Sequence, residues 1–432
     1  MVQKQRALVL QGGGALGAFE LGAFRALYKE LPKIDEKNRE QNRQLFDVVA
    51  GTSIGAINAA ILVGNFKKNR SWKDSLNALE GFWKHVKSEP DISSYIRYWD
   101  ELYGQYPNHA PKEAARRYHS AKYFQTYGAT NVFSSPTMKL DEKFFDNGTI
   151  PNNIWFSYEN DELRKSISKF VDFPIVTNPE DGEPRLLAVS VDIADGVAVT
   201  FDSYDSQGGG VSLENVIASA SIPIFFDYEV IDNRRYWDGA ILSNTPLREL
   251  ISSHKTFWEN KNGIKEVDSE KFLDMIWKGE QDKLLVPDMD VYIVSVWPSR
   301  EQDVPTDHDG LRDRLNDITY SDKTEYDQKV AVFVTDYIDL VWELVNEGKN
   351  HGIPKESLKE ILEKYANSIQ RTGDKRQYLD LIKGRFRLNE VARIERTDDE
   401  YSISNKFADF SVKTIDDLIT NGENAARAAL LV

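Results

Sequence analysis

A short apolar run, Ala7-Leu8-Val9-Leu10, is followed one residue later by three glycines, Gly12-Gly13-Gly14. Beyond them Leu16, Phe19, Leu21, Ala23, Phe24 and Leu27 recur on a helical period, with Gly17, Ala18, Gly22 and Ala26 interleaved. The pattern predicts a strand, a tight turn and a helix over residues 7–31, and its small residues let that helix lie close against a sheet or a second helix. Pro32 and the polar stretch from Lys33 to Gln44 are expected to end it. A second apolar run, Leu45 to Ala50, leads into Gly51-Thr52-Ser53-Ile54-Gly55, and Ile54 to Gly64 reads as a small-residue helix. Strand–helix–strand–helix at this spacing predicts a parallel α/β sheet.

The character changes over residues 66–180, which hold Trp72, Trp83, Trp99, Trp155 and the tyrosines at 95, 98, 103, 106, 118, 123, 127 and 158. Ser134-Ser135-Pro136 and Asp146-Asn147-Gly148 interrupt this stretch as turns. It is expected to be an insertion on the α/β core, its aromatics either packing it onto the body or covering an apolar substrate site. Strand patterning returns at Arg185 to Asp192 and Gly196 to Asp202. No strand precedes Gly208-Gly209-Gly210, which reads as a loop. A helix from Leu213 to Ser221 stops at Pro223, and Ser243-Asn244-Thr245-Pro246 marks another helix start. Met289 to Trp297 predicts a strand, and Glu325 to Val345, Lys355 to Ile369 and Thr414 to Leu431 predict helices. The expected organisation is an α/β catalytic domain over 1–300, with 66–180 as insertion or lid, and a mainly helical region over 301–432 packed on it.

Composition narrows the classes. Of 432 residues, 41% are hydrophobic and 28% charged, as in globular proteins. The absence of cysteine excludes disulfides, thiolate metal sites and a thiol nucleophile. A formal charge of −15 argues against nucleic acid as the main partner and against unaided docking to a strongly anionic membrane. No run approaches the roughly 18 apolar residues of a membrane span, and the apolar segment after Arg6 is too short for a secretory signal. A cytoplasmic location is therefore expected. No calcium loop of the EF-hand type is present, and no metal or other cofactor is expected.

Two strand-to-helix turns are the parts an acyl-transfer enzyme needs. One could offer backbone N–H groups from Gly12, Gly13 and Gly14 to an oxyanion, and the other could hold Ser53 at the tip of a strained elbow. Gly51 and Gly55 flank that serine where side chains would clash, and a helix N-terminus behind it favours negative charge at Oγ. Gly12 to Gly17 also fits the dinucleotide-binding fingerprint G-x-G-x-x-G. That reading requires an acid closing the second strand, whereas Asp35 and Glu36 fall in a polar stretch and the second strand ends in the serine turn. A serine needs a base. His85, His109, His119, His254, His308 and His351 all lack a glycine-flanked strand-end context, while Asp238-Gly239-Ala240 follows an apolar aromatic stretch. A carboxylate of ordinary pKa is a weak base, so Asp238 would have to be desolvated and bonded to the serine. A Ser–His–Asp esterase of the α/β-hydrolase type stays open at this level.

Three ordered motifs, Gly12-Gly13-Gly14-Ala15-Leu16-Gly17, Gly51-Thr52-Ser53-Ile54-Gly55 and Asp238-Gly239-Ala240, resemble those of the patatin-like phospholipases. Ala218-Ser219-Ala220-Ser221-Ile222-Pro223, Asn244-Thr245-Pro246-Leu247 and the segment Phe407 to Ala429 extend the resemblance. It implies a three-layer α/β/α sandwich with a mostly parallel central sheet, and a Ser53–Asp238 dyad without histidine. The amides of Gly12, Gly13 and Gly14 are the implied oxyanion hole, with Gly17, Gly51, Gly55 and Gly239 supporting the turns. The implied activity is hydrolysis of acyl esters of lipids or lysophospholipids, with transient contact to a membrane surface. Many members carry Arg or Lys where this chain has Leu16. That departure weakens phospholipid as the preferred substrate and leaves simple ester hydrolysis intact.

Overall fold

The first apolar run folds as strand β1 (Gln5–Leu10) and the second as β2 (Val48–Thr52), paired in parallel with Ala7 opposite Val48 and Leu10 opposite Gly51. This is a computed structural model, and it describes residues 4–40, 43–103, 110–140, 154–300, 304–369, 375–397 and 402–431. Six further strands complete the main sheet: β3 (Arg185–Asp192), β4 (Val197–Asp202), β5 (Glu229–Ile231), β6 (Arg234–Asp238), β7 (Met289–Ser295) and β8 (Leu388–Glu395). Their order is β8–β7–β1–β2–β3–β6–β5, with β4 also paired to β3. The sheet is mostly parallel and flanked by helices in a three-layer α/β/α arrangement, as the sequence resemblance implies. Every residue of β2, β3 and β7 is buried, which is why these strands read as nearly unbroken apolar runs.

The chain divides into two compact units. The larger comprises Ala7–Pro246, Tyr292–Asp322 and Ala392–Val432. In it, helix α1 (Ala18–Asn38) lies against the last helix (Val412–Ala429), and two glycines permit the contact. A Cβ at Gly22 would stand 1.9 Å from the Ile419 carbonyl oxygen, and one at Gly422 2.0 Å from that of Phe19. The expected stop at Pro32 is corrected: α1 runs through it to Asn38. Proline removes one helical hydrogen bond, but Leu27 and Leu31 are fully buried and Ile34 packs on the same core, so burial carries the helix onward.

Helices α2 (Ile54–Asn69) and α3 (Trp72–Val86) follow β2. Leu79, Phe82 and Trp83 of α3 are buried in the main core, as is Trp72. Tyr95, Tyr98, Tyr118 and Tyr127 are exposed. The Asp146-Asn147-Gly148 turn, Tyr106 and His109 lie outside the described residues, as do the side chains of Trp99, Tyr103 and Trp155. Helix α4 (Leu213–Ser219) opens on a capping box between Ser212 and Asn215 and closes just before the Ser221–Pro223 bend.

The smaller unit contains Leu247–Val291 and Lys323–Val391. Its longest helix, α5 (Glu325–Asn350), sets Ile338, Trp342 and Val345 into a cluster with Phe272, Leu273 and Ile276. The helix expected over 355–369 is corrected to Lys355–Leu362. Leu362 is its last buried residue, and Tyr365–Ile369 instead forms a strand against Lys375–Gln377. An apolar spacing that matched a helix was overridden by a partner strand that periodicity does not reveal. Among the described residues, no helix is long and apolar enough to cross a membrane.

Candidate active site

Between β2 and α2, Ser53 takes φ 57° and ψ −125°, a conformation L-residues rarely adopt. Two close approaches hold it there. A Cβ at Gly51 would lie 2.2 Å from the Gly55 carbonyl oxygen, and one at Gly55 2.4 Å from that of Leu10, so both flanking positions exclude side chains. The Ser53 N–H donates to Ser219 Oγ at 2.9 Å, and that hydroxyl donates to the Val189 carbonyl at 2.6 Å. Thr52 Oγ1 donates to the Ser243 carbonyl at 2.8 Å, fixing the last residue of the strand before the turn. The elbow is thus fastened to β3 and to the chain beyond β6.

Strand β3 also sets the position of Asp238. One edge of β3 pairs with β4 over Leu187–Asp192. The other pairs first with β2, ending at Val189 opposite Thr52, and then with β6, where Ser190 stands opposite Asp238. Thr52 and Asp238 therefore meet end to end along one strand edge, which brings the residue after Thr52 beside the carboxyl. Asp238 is completely buried. Its Oδ1 accepts the Ala240 N–H at 2.8 Å, while Oδ2 is buried without a hydrogen-bond partner. Burial pushes the carboxyl up to about 7, against the lowering effect of the Ala240 N–H and of the neighbouring Ser53 hydroxyl. The Ser53 hydroxyl is thus close enough to the carboxyl to stabilise its charged form as a hydrogen-bond donor.

The glycine turn faces this pair. A Cβ at Gly12 would stand 2.9 Å from Ser53 Cβ. The Gly12 N–H is already donated to the Asn244 carbonyl at 3.2 Å. The Gly12 carbonyl accepts from Trp297 Nε1 at 2.7 Å and from Asn244 Nδ2 at 3.2 Å. Across a trans peptide the C=O and N–H point in opposite directions, so these two donors aim the Gly13 N–H away from Trp297 and Asn244. Gly14, at φ 57°, lines the same cavity as Ser53, and a Cβ there would stand 2.5 Å from the Phe407 carbonyl oxygen. Gly17 rests on Ile54, and Gly239 on the Val189 carbonyl, so both are close-approach positions. Leu16 is fully buried in the core, with no side-chain surface for a ligand.

Further residues support the site, and none of them had a role there that the sequence made legible. The Gln11 side chain accepts the N–H groups of Val296 and Trp297 at 2.7 and 3.0 Å, and donates to Thr245 Oγ1 and the Tyr320 carbonyl. Asn244 Nδ2 reaches the same Tyr320 carbonyl at 2.7 Å. Lys406 is fully buried, paired with Asp313 at 3.0 Å and Asp317 at 2.6 Å, with Nζ 5.5 Å from the Trp297 ring centre. Glu20 is buried under the turn, bonded by Asn58, and burial raises its carboxyl well above the ordinary range. Ser219 stands in a stretch the family resemblance had flagged, but its role comes from the register. Asn244 and Thr245 also fall in a stretch of the resemblance, whereas Gln11, Tyr320 and Lys406 are distant in sequence and ordinary in type.

A cavity of about 90 Å³ opens on Ser53 and Gly14, walled chiefly by apolar side chains including Phe82, Phe133, Phe226 and Phe407. Among the described residues no histidine lines it. His254 bonds the Pro287 carbonyl, His119 stacks on Tyr95, His85 meets Lys169, His351 meets Glu347, and His308 is exposed at the start of its helix. The described residues hold no cluster of side chains fit for a metal ion.

A serine at the tip of a strand–elbow–helix unit on a parallel sheet is the α/β arrangement that acyl-transfer enzymes use. The family model for patatin-like phospholipases matches residues 8–251, more than half of the chain, and the protein belongs to that family. Membership supports lipid acyl hydrolysis. The chain is also similar to VipD from Legionella pneumophila, with 14% identity and a TM-score of 0.36 over 99% of this chain and 67% of that one. No curated protein matches the chain.

Proposed function

We propose that this protein is a serine acyl-ester hydrolase of lipids, of phospholipase A, lysophospholipase or esterase type, working through a Ser53–Asp238 dyad. The observation that carries the reading is the β3 edge, which sets Asp238, buried and with Oδ2 unpartnered, directly after Thr52 and so beside the elbow serine. Ser53 Oγ attacks the ester carbonyl carbon as Asp238 Oδ2 takes its proton. The Gly13 and Gly14 amides receive the oxyanion, and Gly12, whose own N–H is engaged, contributes room and the orientation of the next peptide. Collapse of the tetrahedral adduct expels the alcohol, which takes the proton from Asp238. The same carboxylate then draws a proton from water, whose oxygen attacks the acyl-enzyme, and collapse of this second adduct releases the fatty acid as Asp238 returns the proton to Ser53 Oγ. One oxyanion donor of this kind lowers the barrier by about 3 kcal/mol.

The apolar cavity supports an acyl chain as the group held beside Ser53. Phe82, Phe133 and Tyr158 of its wall come from residues 66–180, which supports the reading of that stretch as a cover over the acyl site. A carboxyl poised at about 7 can accept a proton near neutrality, as a base acting without histidine must. A fluorophosphonate probe should label the wild type and leave Ser53→Ala unlabelled, with hydrolysis of short p-nitrophenyl esters lost in step. Equal labelling of Ser53→Ala would remove Ser53 as nucleophile.

A further inference from the structure

Helix α5 is apolar on two opposite faces, and one of them is uncovered. Thr335, Ile338, Trp342 and Val345 are buried. On the far side stand Tyr326, Val330, Phe333, Tyr337, Leu340 and Leu344, exposed by 74, 41, 72, 50, 52 and 62%. The intervals of four, three, four, three and four residues are those of a coiled-coil seam, sustained over the greater part of the helix. The exposed fractions amount to roughly 800 Å² of accessible surface, more than the largest apolar patch of an ordinary monomer and about what one partner of a standard interface buries.

We infer that this face pairs with the same face of a second copy, the two α5 helices running antiparallel about a twofold axis that crosses the seam at the level of residue 335. The seam is self-complementary in that register. Tyr326 meets Leu344 of the second copy, Val330 meets Leu340, and Phe333 meets Tyr337, so each layer joins a larger side chain to a smaller one or two rings to each other. The flanking charges agree. Lys329, 76% exposed on its side chain and 3.8 Å from Glu325 of its own helix, faces Glu343 of the second copy, and the twofold axis repeats the pair. A parallel arrangement would set Lys329 against Val334 and Asp336 against Val341, without any charge match. Asp336 meets its own copy near the axis, and this is the one unfavourable contact. A lipid surface fits the face less well, because Asp327, Asp336, Glu343 and Glu347 border it where membrane-surface helices carry Lys and Arg.

Light scattering and sedimentation of the full chain test the inference, with circular dichroism and thermal melting reporting the fold of each variant. Wild type should dimerise across the micromolar range, and Phe333→Glu with Leu340→Glu should be monomeric. Lys329→Glu should weaken the dimer by about tenfold, and Glu343→Lys added to it should restore the affinity. Because the chain has no cysteine, Asp336→Cys should form a disulfide-linked dimer on mild oxidation, and Tyr326→Cys should not. A wild type that stays monomeric throughout, or a dimer that survives the Phe333 and Leu340 substitutions, overturns the inference. So does pelleting with phosphatidylcholine–phosphatidylserine vesicles that those substitutions abolish in a monomeric wild type. Should the double glutamate variant fail to fold, the charge swap and the Asp336→Cys link decide: no restoration and no link refute the register.

Discussion

Replacing Asp238 by Asn should make the protein more stable at alkaline pH while removing its activity. The folded state holds the Asp238 carboxyl at about 7 against an ordinary value of 3.8, so it binds the proton more tightly than the unfolded chain does. The stability supplied by the neutral acid is complete below about pH 3.8 and is lost as pH rises through 7. That gap corresponds to up to roughly 4 kcal/mol above pH 7, undiluted by solvent because the group is wholly buried. Asparagine keeps the shape and the Oδ1 bond to the Ala240 N–H. Its Nδ2 replaces the unpartnered Oδ2 and can donate to the Ser53 hydroxyl. Denaturant melts of wild type and Asp238→Asn from pH 4 to pH 9 should coincide at the acid end and separate steadily above it, with the variant ahead by several kcal/mol at pH 8. In wild type, kcat/KM for a soluble ester should rise through the same region as the carboxylate forms, and Asp238→Asn should show neither that rise nor substantial turnover. A stability difference that stays constant across the pH range would refute the desolvated carboxyl, and with it the base proposed for Ser53.

Trp297→Phe keeps the ring between Tyr320 and Lys406 and deletes the bond from Nε1 to the Gly12 carbonyl. Losing about 1 kcal/mol of orientation should lower kcat about fivefold with KM unchanged, and an equal rise in KM would instead show a damaged acyl cavity. Lys406→Met leaves Asp313 and Asp317 buried without their cation and should cost about 3–5 kcal/mol in a urea melt, with Lys406→Arg recovering part of the loss.

The sheet and its two turns were legible because buried parallel strands are continuous apolar runs and because close-approach glycines leave a motif. Ser53 and Asp238 stood out by the same logic, each at a strand end beside a glycine. The network behind them was not legible. Gln11, Trp297 and Tyr320 act through backbone groups up to 309 positions away in sequence, and nothing in a residue's type announces such a bond. Pro32 misled because a penalty of known size was read without the burial of Leu31 that outweighs it. The segment after Leu362 misled because a hairpin depends on its partner. Gly12 illustrates a subtler limit. The resemblance implies three amides, while the fold engages the first with the Asn244 carbonyl.

The edge of β3 also fixes an order of assembly. Ser53 leaves the ribosome long before the strand that will align it with Asp238, and β3 contributes only a backbone to the meeting. On the proposed dyad, the elbow has no base until β6 has been synthesised and laid beside that strand, and its serine is an ordinary alcohol. A lipid hydrolase so arranged would be inert toward surrounding bilayers throughout its own translation, acquiring reactivity only when a distant strand closes the edge.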